Sequence, residues 1–372
     1  MVEWKKLGEI CTNLDFKRKP ITSAKRVAGI YPYYGASGIV DYVENYIFDG
    51  DYLLVSEDGA NLLARTSPIA FSIKGKNWVN NHAHVLEFKY TTTQKFVEVY
   101  LNMIDLSPWI NGAAQPKLNQ ANLSIIDIPF PPLSEQNRIV GILDTFTDSI
   151  ENLKQQIAQR RKQYEFYRDQ LLDLEGKEGV EMKTLGESSI LISDGDHQPP
   201  PKSQQGIPFI TISNINKDNH KIDFSNTYYV PSDYYESLKN ERKAIEGDVL
   251  YTVTGSYGIP VIIDFTDKFC FQRHIAMIRP NIKVLISKFL YHCLLTRGLK
   301  KQADEYASGG AQKTVSLSSL RKFVIPVLPL SEQKRIVSIL DTFEASISNL
   351  EAQLAQRQKQ YEYYRNKLLT FE

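Results

Sequence analysis

The sequence predicts an α/β protein (α+β in detail) organised as an internal pseudo-two-fold repeat, with two α/β regions at opposite ends of an antiparallel two-helix coiled coil. Three observations predict this. A stretch of 41 residues occurs twice, at 132–172 and 329–369, offset by 197 without a gap and with 29 identities. Each copy carries apolar residues at steps of four and three. The sequence ahead of each copy echoes the other in strands and turns.

The doubled stretch reads as two long helices. Pro132 and Leu133 lead into Ser134, taken as an N-cap, with Glu135 at the positive helix end; Pro329, Leu330, Ser331 and Glu332 repeat the pattern. The first seam runs Ile139, Leu143, Phe146, Ile150, Leu153, Ile157, Arg160, Tyr164, Tyr167, Leu171 and Leu174. The second runs Ile336, Leu340, Phe343, Ile347, Leu350, Leu354, Arg357, Tyr361, Tyr364, Leu368 and Phe371. A 4-3 spacing is a heptad, which calls for a helical partner, and an arginine at the same place in both seams weakens the core while fixing register.

Connectivity sets the direction of pairing. About 40 helical residues span roughly 60 Å, whereas a globular region of about 150 residues is some 35–40 Å across. The second helix starts directly from the region that follows the first, so its start lies near the first helix's end. This predicts an antiparallel pair, with regions 1–131 and 176–328 flanking helices 132–175 and 329–372.

Within region one, YPYYGASGIVDYV (31–43), GDYLLV (50–55), PIAFSI (68–73) and HVLEF (84–88) read as strands. Turns are expected at Ser56–Asn61, at Lys74-Gly75-Lys76 and at Asn80-Asn81-His82. TTTQKFVEVYLNMI (91–104) reads as a helix, and INGAAQPKLN (110–119) as a loop. Region two follows the same plan. KTLGE (183–187) echoes KKLGE (5–9), GDVLYT (247–252) echoes GDYLLV, and FCFQRHIAMIRP (269–280) stands in place of WVNNHAHVLEF (78–88). Likewise SGGAQKTVS (308–316) echoes NGAAQPKLN, whereas DGDHQPPPKSQQGIPFITISNI (194–215) has no close counterpart.

Composition bounds the function. The 372 residues carry 44 Lys and Arg against 43 Asp and Glu, a net charge of +1, so any nucleic-acid face must be a local patch. No long apolar run and no signal peptide appear, which points to a cytoplasmic protein without a membrane partner. The three scattered cysteines form no CxxC pair, arguing against disulfides and zinc. Gly310-Ala311-Gln312-Lys313-Thr314 lacks the glycine spacing of a phosphate loop, and no methyltransferase motif is present. No catalytic residue and no metal ligand is expected. His82 and His84 read as core or hydrogen-bonding residues, and Asp194, Asp196 and His197 as a rigid turn.

Two related domains with divergent turns, joined by a rod, make a two-point reader. Arg and Lys suit guanine, Asn and Gln suit adenine, and Ser, Thr and Tyr read more loosely. Candidates in region one are Asn61, Arg65, Lys74, Lys76, Asn80, Asn81, His82 and Lys117. In region two they are Gln198, Lys202, Asn214, Thr254, Ser256, Tyr257, Gln272, Arg273, His274 and Lys313. The loops shared by both regions, Gly112–Lys117 and Gly309–Lys313, suit phosphate contact or a hinge, because a common element cannot read two different sequences.

The whole chain resembles the specificity subunit of type I restriction–modification systems. The resemblance rests on the paired PLSEQ-x-RIV-x-ILDTF arms, Tyr33-Tyr34-Gly35-Ala36-Ser37-Gly38, Gly50-Asp51 with Gly247-Asp248, the Gly-Ala-Gln loops and Gly206-Ile207-Pro208-Phe209-Ile210. It implies two target recognition domains reading the halves of a split, asymmetric duplex DNA site. It also implies arms that dock two adenine methyltransferase subunits, with nuclease–translocase subunits joining them. S-adenosylmethionine, ATP and magnesium would belong to those partners, and none to this chain. A 60 Å rod limits the half-site spacing to below about 18 base pairs. Two rivals predict different outcomes. A nuclease using Asp233, Glu241 and Lys243 would cleave DNA alone with a metal ion; a stand-alone regulator or coiled-coil scaffold would bind one palindrome.

Overall fold

A computed structural model describes residues 2–112, 115–310 and 312–371, so Ala113, Ala114 and Ala311 of the shared loops lie outside the described residues. The chain divides into two units, Met1–Lys154 with Ala352–Glu372, and Gln155–Glu351.

The first unit holds a six-stranded sheet in the order Thr12–Asn13, Ala83–Glu87, Phe48–Ser56, Ala70–Val79, Ala28–Gly35 and Gly38–Val43. Its central strand is a continuous run of large hydrophobic residues through Tyr52-Leu53-Leu54-Val55, all buried, as a strand covered on both faces requires. Helix Thr91–Met103 lays Phe96, Val97, Tyr100 and Leu101 into the core beside Leu53, Val55 and Leu86. Glu3–Lys6 pairs with Asp127–Phe130 as a separate ribbon directly ahead of the first arm.

Lys74, Gly75 and Lys76 do not form the expected turn; they continue the strand Ala70–Val79. Gly75 stands opposite Gly50, while Lys74 and Lys76 stand opposite Asp51 and Asp49. Opposite charges across the ladder carry the strand through the glycine pair that reads, in one dimension, as a break.

The second unit repeats this plan with shorter strands. Ser189–Asp194, Ile275–Pro280, Val249–Thr252 and Pro260–Ile262 form one sheet in that order, and Glu181–Thr184 pairs with Val324–Val327. Tyr228–Val230, Ile207–Ile210 and Cys270–Phe271 form a second sheet. Ile207–Ile210 runs parallel to Cys270–Phe271 (Phe209 beside Cys270), as Ala28–Gly35 runs parallel to Ala70–Val79 (Tyr33 beside Trp78). The segment around Gly206–Ile210 therefore does have a counterpart, the Tyr-Pro-Tyr-Tyr run ending at Tyr34. Only Pro32 and Pro208 survive as a shared letter, so the likeness is carried by register rather than identity.

Both arms are single helices, Leu133–Leu172 and Leu330–Leu369. Their caps are the prolines, not the serines. The carbonyl of Pro132 accepts from the amides of Glu135 (2.9 Å) and Gln136 (3.0 Å), and that of Pro329 from Glu332 (2.9 Å) and Gln333 (3.1 Å). Each helix thus begins before the serine, which lies inside its first turn. The side chain that anchors the start is the following glutamine, fully buried in both copies. Gln136 donates to the Pro131 carbonyl (2.8 Å) and accepts from Thr93 (2.8 Å); Gln333 donates to Val284 (2.7 Å) and Leu328 (2.8 Å) and accepts from the Ile286 amide (2.9 Å).

Within each unit the arm segments run antiparallel. In the first, Phe146 stacks on Tyr364 with ring centres 5.3 Å apart; in the second, the repeat-related Phe343 stacks on Tyr167 at 5.5 Å. Ile139 and Leu143 join Tyr361, Leu368, Leu369 and Phe371 in the first core, and Ile336 and Leu340 join Tyr164, Leu171 and Leu172 in the second. Ile157 is buried and Ile347 packs on the second core, but Ile150, Leu153, Leu350 and Leu354 remain half-buried. Arg161 closes the second-unit segment with a 2.6 Å bond to Glu351. No helix among the described residues is long and apolar enough to cross a membrane.

Candidate nucleic-acid interface

The shared loops and the strand-connecting turns meet at one junction in each unit, built by the same backbone bonds. In the first unit the Glu57 amide donates to His82 (2.9 Å), Leu118 to Glu57 (2.8 Å), Gly59 to Pro116 (3.2 Å) and Asn80 to Tyr34 (3.0 Å). In the second, Val253 donates to His274 (2.9 Å), Val315 to Val253 (2.8 Å), Gly255 to Lys313 (2.9 Å) and Gln272 to Ile210 (3.0 Å). Glycines with positive φ close the turns at Gly59 and Gly255, a conformation that other residues adopt at a cost. The bonds equate Asp58 with Thr254, Asn81 with Arg273, His82 with His274 and Lys117 with Thr314. Lys313 consequently matches Pro116, and the lysines of the two loops are not equivalent.

One framework thus presents two chemistries. In the first unit the rim carries carboxylates with partners: His82 Nδ1 lies 2.9 Å from the Asp58 carboxylate, and Lys117 Nζ forms an ion pair with Glu57 at 3.1 Å. Beneath it, Arg18 contacts Glu57 (2.6 Å), Asp15 (3.2 Å) and the Ala83 carbonyl (2.8 Å). His84 sits between Asp15 (2.5 Å) and the Leu118 carbonyl (2.7 Å). Burial alone would raise the Asp15 and Glu57 carboxyls, but bonds to His84 and to Arg18 respectively, with the neighbouring positive charges, hold both below the usual range. In the second unit Val253 and Ala276 replace Glu57 and His84, so the network is lost to the apolar core. The positions matching Asp58 and Lys117 are uncharged there, with Thr314 and Thr254 hydroxyls 3.4 Å apart. The rim opens on a cavity of about 360 Å³ lined by residues including Asp194, Thr254, Arg273, His274, Gln312 and Thr314.

The other candidates fall into two groups. Several are committed to holding their own turns. Arg65, itself at φ +52°, donates to the carbonyls of Leu101 (3.5 Å), Asn102 (3.4 Å) and Ile104 (2.6 Å), finishing helix Thr91–Met103. Asn61 bonds Ser67 and Thr66, buried Asn80 accepts from the His82 amide, and buried Asn214 ties Thr211 to Asp223 and Asn226. The exposed group comprises Lys74, Lys76, Asn81, His82, Lys117, Gln198, Lys202, Ser256, Arg273 and Lys313, with Tyr257, Gln272 and His274 half-buried. Lys76 lies over the Tyr46 ring at 4.7 Å and Lys202 over Tyr228 at 4.9 Å. Tyr257 Oη donates to Asp304 (2.7 Å).

A nuclease centre does not assemble at Asp233, Glu241 and Lys243. Asp233 accepts from the Tyr234 amide, and Lys243 Nζ turns to Glu236 (3.0 Å to its carbonyl). Two clusters of metal-ligand type, absent from the sequence reading, do converge: Asp15, Glu57 and His84, and His292, Asp341 and Glu344. Both hold a protein cation in the middle, Arg18 in the first and Lys288 (3.5 and 2.7 Å from Asp341 and Glu344) in the second. A cation in that place satisfies the carboxylates and opposes a metal. Burial pushes the Cys11 and Cys270 thiols up to about 12, so neither offers a thiolate nucleophile.

Comparison with known proteins adds findings of three kinds: a family, relatives and solved structures. The family described as type I restriction modification DNA specificity domain matches residues 1–160 and 181–358. A Haemophilus influenzae chain given the name type I restriction enzyme specificity subunit S.HindORF215P is 35% identical over 384 residues, covering 100% of this chain and 96% of that one. The EcoR124I/EcoR124II specificity subunit of Escherichia coli is 30% identical over 302 residues, covering 75% and 71%. Among solved structures, the type I restriction–modification S subunit of M. genitalium aligns with a TM-score of 0.62 at 15% identity, covering 100% of this chain and 97% of that one. A chain from a study of complex assembly and conformational transition in the type I system aligns at 0.59 and 19%, covering 99% and 97%.

Proposed function

Because the chain belongs to the family of type I restriction–modification DNA specificity subunits, non-catalytic components that recognise DNA sequence, we propose that it reads a bipartite, asymmetric duplex site, one half per unit. The observation that carries this reading is the pair of junctions: one hydrogen-bonded framework, two different sets of exposed side chains. Shared backbone fixes the approach to DNA, and divergent side chains fix which bases are accepted. The half-sites therefore differ in sequence.

The arms serve as the docking surface for two adenine methyltransferase subunits, and nuclease–translocase subunits join that core in the cytoplasm. S-adenosylmethionine, ATP and magnesium are used by those partners. A solved chain of like fold, from a study of complex assembly in the type I system, supports the docking of partner subunits.

The test is a methylome comparison by long-read sequencing of host DNA with and without this gene. Loss of one split motif, adenine-methylated in both halves, is expected on deletion. An unchanged methylome, together with failure to co-purify a methyltransferase, would rule the reading out. Replacing residues 1–131 by the corresponding region of another such subunit should change one half of the motif and leave the other intact. A change in both halves would refute independent reading.

A further inference from the structure

We propose that Arg273 is the guanine-reading residue of the second unit, and that the rim position it shares with Asn81 is a specificity switch of both units. This rests on the DNA-reading function proposed above and names the residues that perform it.

Four observations carry it. First, Arg273 and Asn81 occupy the same place in the same framework. Each follows the residue whose amide is bonded to the neighbouring strand (Gln272 to Ile210, Asn80 to Tyr34) and precedes the histidine that accepts from the junction. Its backbone is therefore fixed while its side chain is free to vary. Second, the other arginines between residues 181 and 327 are engaged: Arg242 with Asp196 (3.6 Å), Arg279 with Asp248 (2.8 Å), Arg297 with Asp169 (3.3 Å) and Arg321 with the Ile192 carbonyl (2.5 Å). Among the described residues, no ion pair or hydrogen bond holds the Arg273 guanidinium, which is exposed. Third, it lines the polar cavity of about 360 Å³ together with His274, Gln312 and Thr254. Fourth, the turn carrying it is tied down, because the Arg273 amide donates to Asp196 (3.0 Å) and the Asp196 amide to Phe271 (2.8 Å).

An arginine with a fixed backbone and an uncommitted fork suits bidentate contact with O6 and N7 of guanine. Asparagine at the equivalent place in the first unit suits N6 and N7 of adenine. The paired charges beside Asn81 and the hydroxyls beside Arg273, with Asp194 on the same cavity, complete two different donor and acceptor sets on one scaffold. Asp58 and Lys117 supply an acceptor and a donor in the first unit, where Thr254 and Thr314 supply hydroxyls in the second.

The experiment is the host methylome with the wild-type gene, with Arg273→Gln and with Arg273→Lys, alongside thermal unfolding of each purified chain. A wild-type motif that is absent would defeat the underlying reading, independently of Arg273. Given a wild-type motif, Arg273→Gln is expected to relax or replace one guanine in one half, by roughly 10- to 100-fold in preference, with the other half unchanged. An unaltered motif at wild-type occupancy would overturn the proposal. If Arg273→Gln abolishes methylation altogether, the unfolding midpoint decides. An unchanged midpoint, with partial and base-relaxed methylation by Arg273→Lys, supports base reading; a lowered midpoint in both variants assigns Arg273 a structural role and overturns it.

Discussion

Leu340→Asp is expected to unfold the second unit. Leu340 is fully buried where the second arm meets its domain, in one core with Ile336, Tyr164 and Val327. Truncating such a leucine to alanine costs about 2–5 kcal/mol, and an unpaired carboxylate adds its own desolvation penalty. Domains have only about 5–15 kcal/mol in total. Leu350→Asp and Leu153→Asp, at half-buried seam positions, should cost clearly less. Thermal unfolding of the three variants, with co-purification of a methyltransferase subunit as a second readout, checks the ranking. Equal effects at Leu340 and Leu350 would contradict it, because they would locate the arm's stability in the seam and not in its junction with the domain.

Arg18→Ala is expected to be the most damaging single truncation of a charged side chain in the first unit. It strips a shared cation from Asp15 and Glu57, whose side chains are 6% and 11% exposed, and frees the Ala83 carbonyl. Removing one partner of a buried ion pair costs about 3–5 kcal/mol, because the remaining charge stays buried. Acid should reveal the same coupling. Both carboxyls are held below their ordinary values in the fold, so their contribution is present above the ordinary carboxylate range and lost as pH falls through the lowered values. The stability gap between wild type and Arg18→Ala should narrow below about pH 4. A gap that stays constant down to pH 2 would sink the assignment. The turn carrying Asn81 should loosen as well, since Arg18 also bonds the Asn81 carbonyl (3.4 Å).

What the sequence revealed follows from where the information sits in it. The arms were legible because heptad spacing and a doubled stretch are one-dimensional signals, and the antiparallel direction followed from connectivity and length. The PLSEQ start was legible as a helix start but not in its cap. A proline carbonyl and a buried glutamine do the work of Ser134 and Ser331, and nothing local distinguishes a glutamine that finds buried partners from one in water. Arg65, Asn61 and Asn214 have the residue types that read bases, yet each is consumed by carbonyls and amides that only the fold brings near. The Asp15–Glu57–His84–Arg18 network joins residues up to 69 positions apart and leaves no spacing to recognise. The two junctions were half legible: the Gly-Ala-Gln echo marked them and already set Lys117 opposite Thr314, but the Gly-Asp echo would place Glu57 on Thr254, and only the hydrogen-bond register showed that Asp58 answers to Thr254.

The first unit takes its core from both flanks of the chain, with Tyr361, Leu368, Leu369 and Phe371 packed beside Ile139, Leu143 and Phe96. Synthesis proceeds from the N-terminus at roughly 5–20 residues per second, so the early strands wait on the order of 10–40 s for residues 352–371 to appear. During that interval the apolar face of the nascent arm is uncovered, and the unit made first is completed last. A stop or a proteolytic nick immediately before Ala352 therefore strikes a unit remote in sequence: it leaves the 155–351 unit contiguous while depriving the first unit of its final layer.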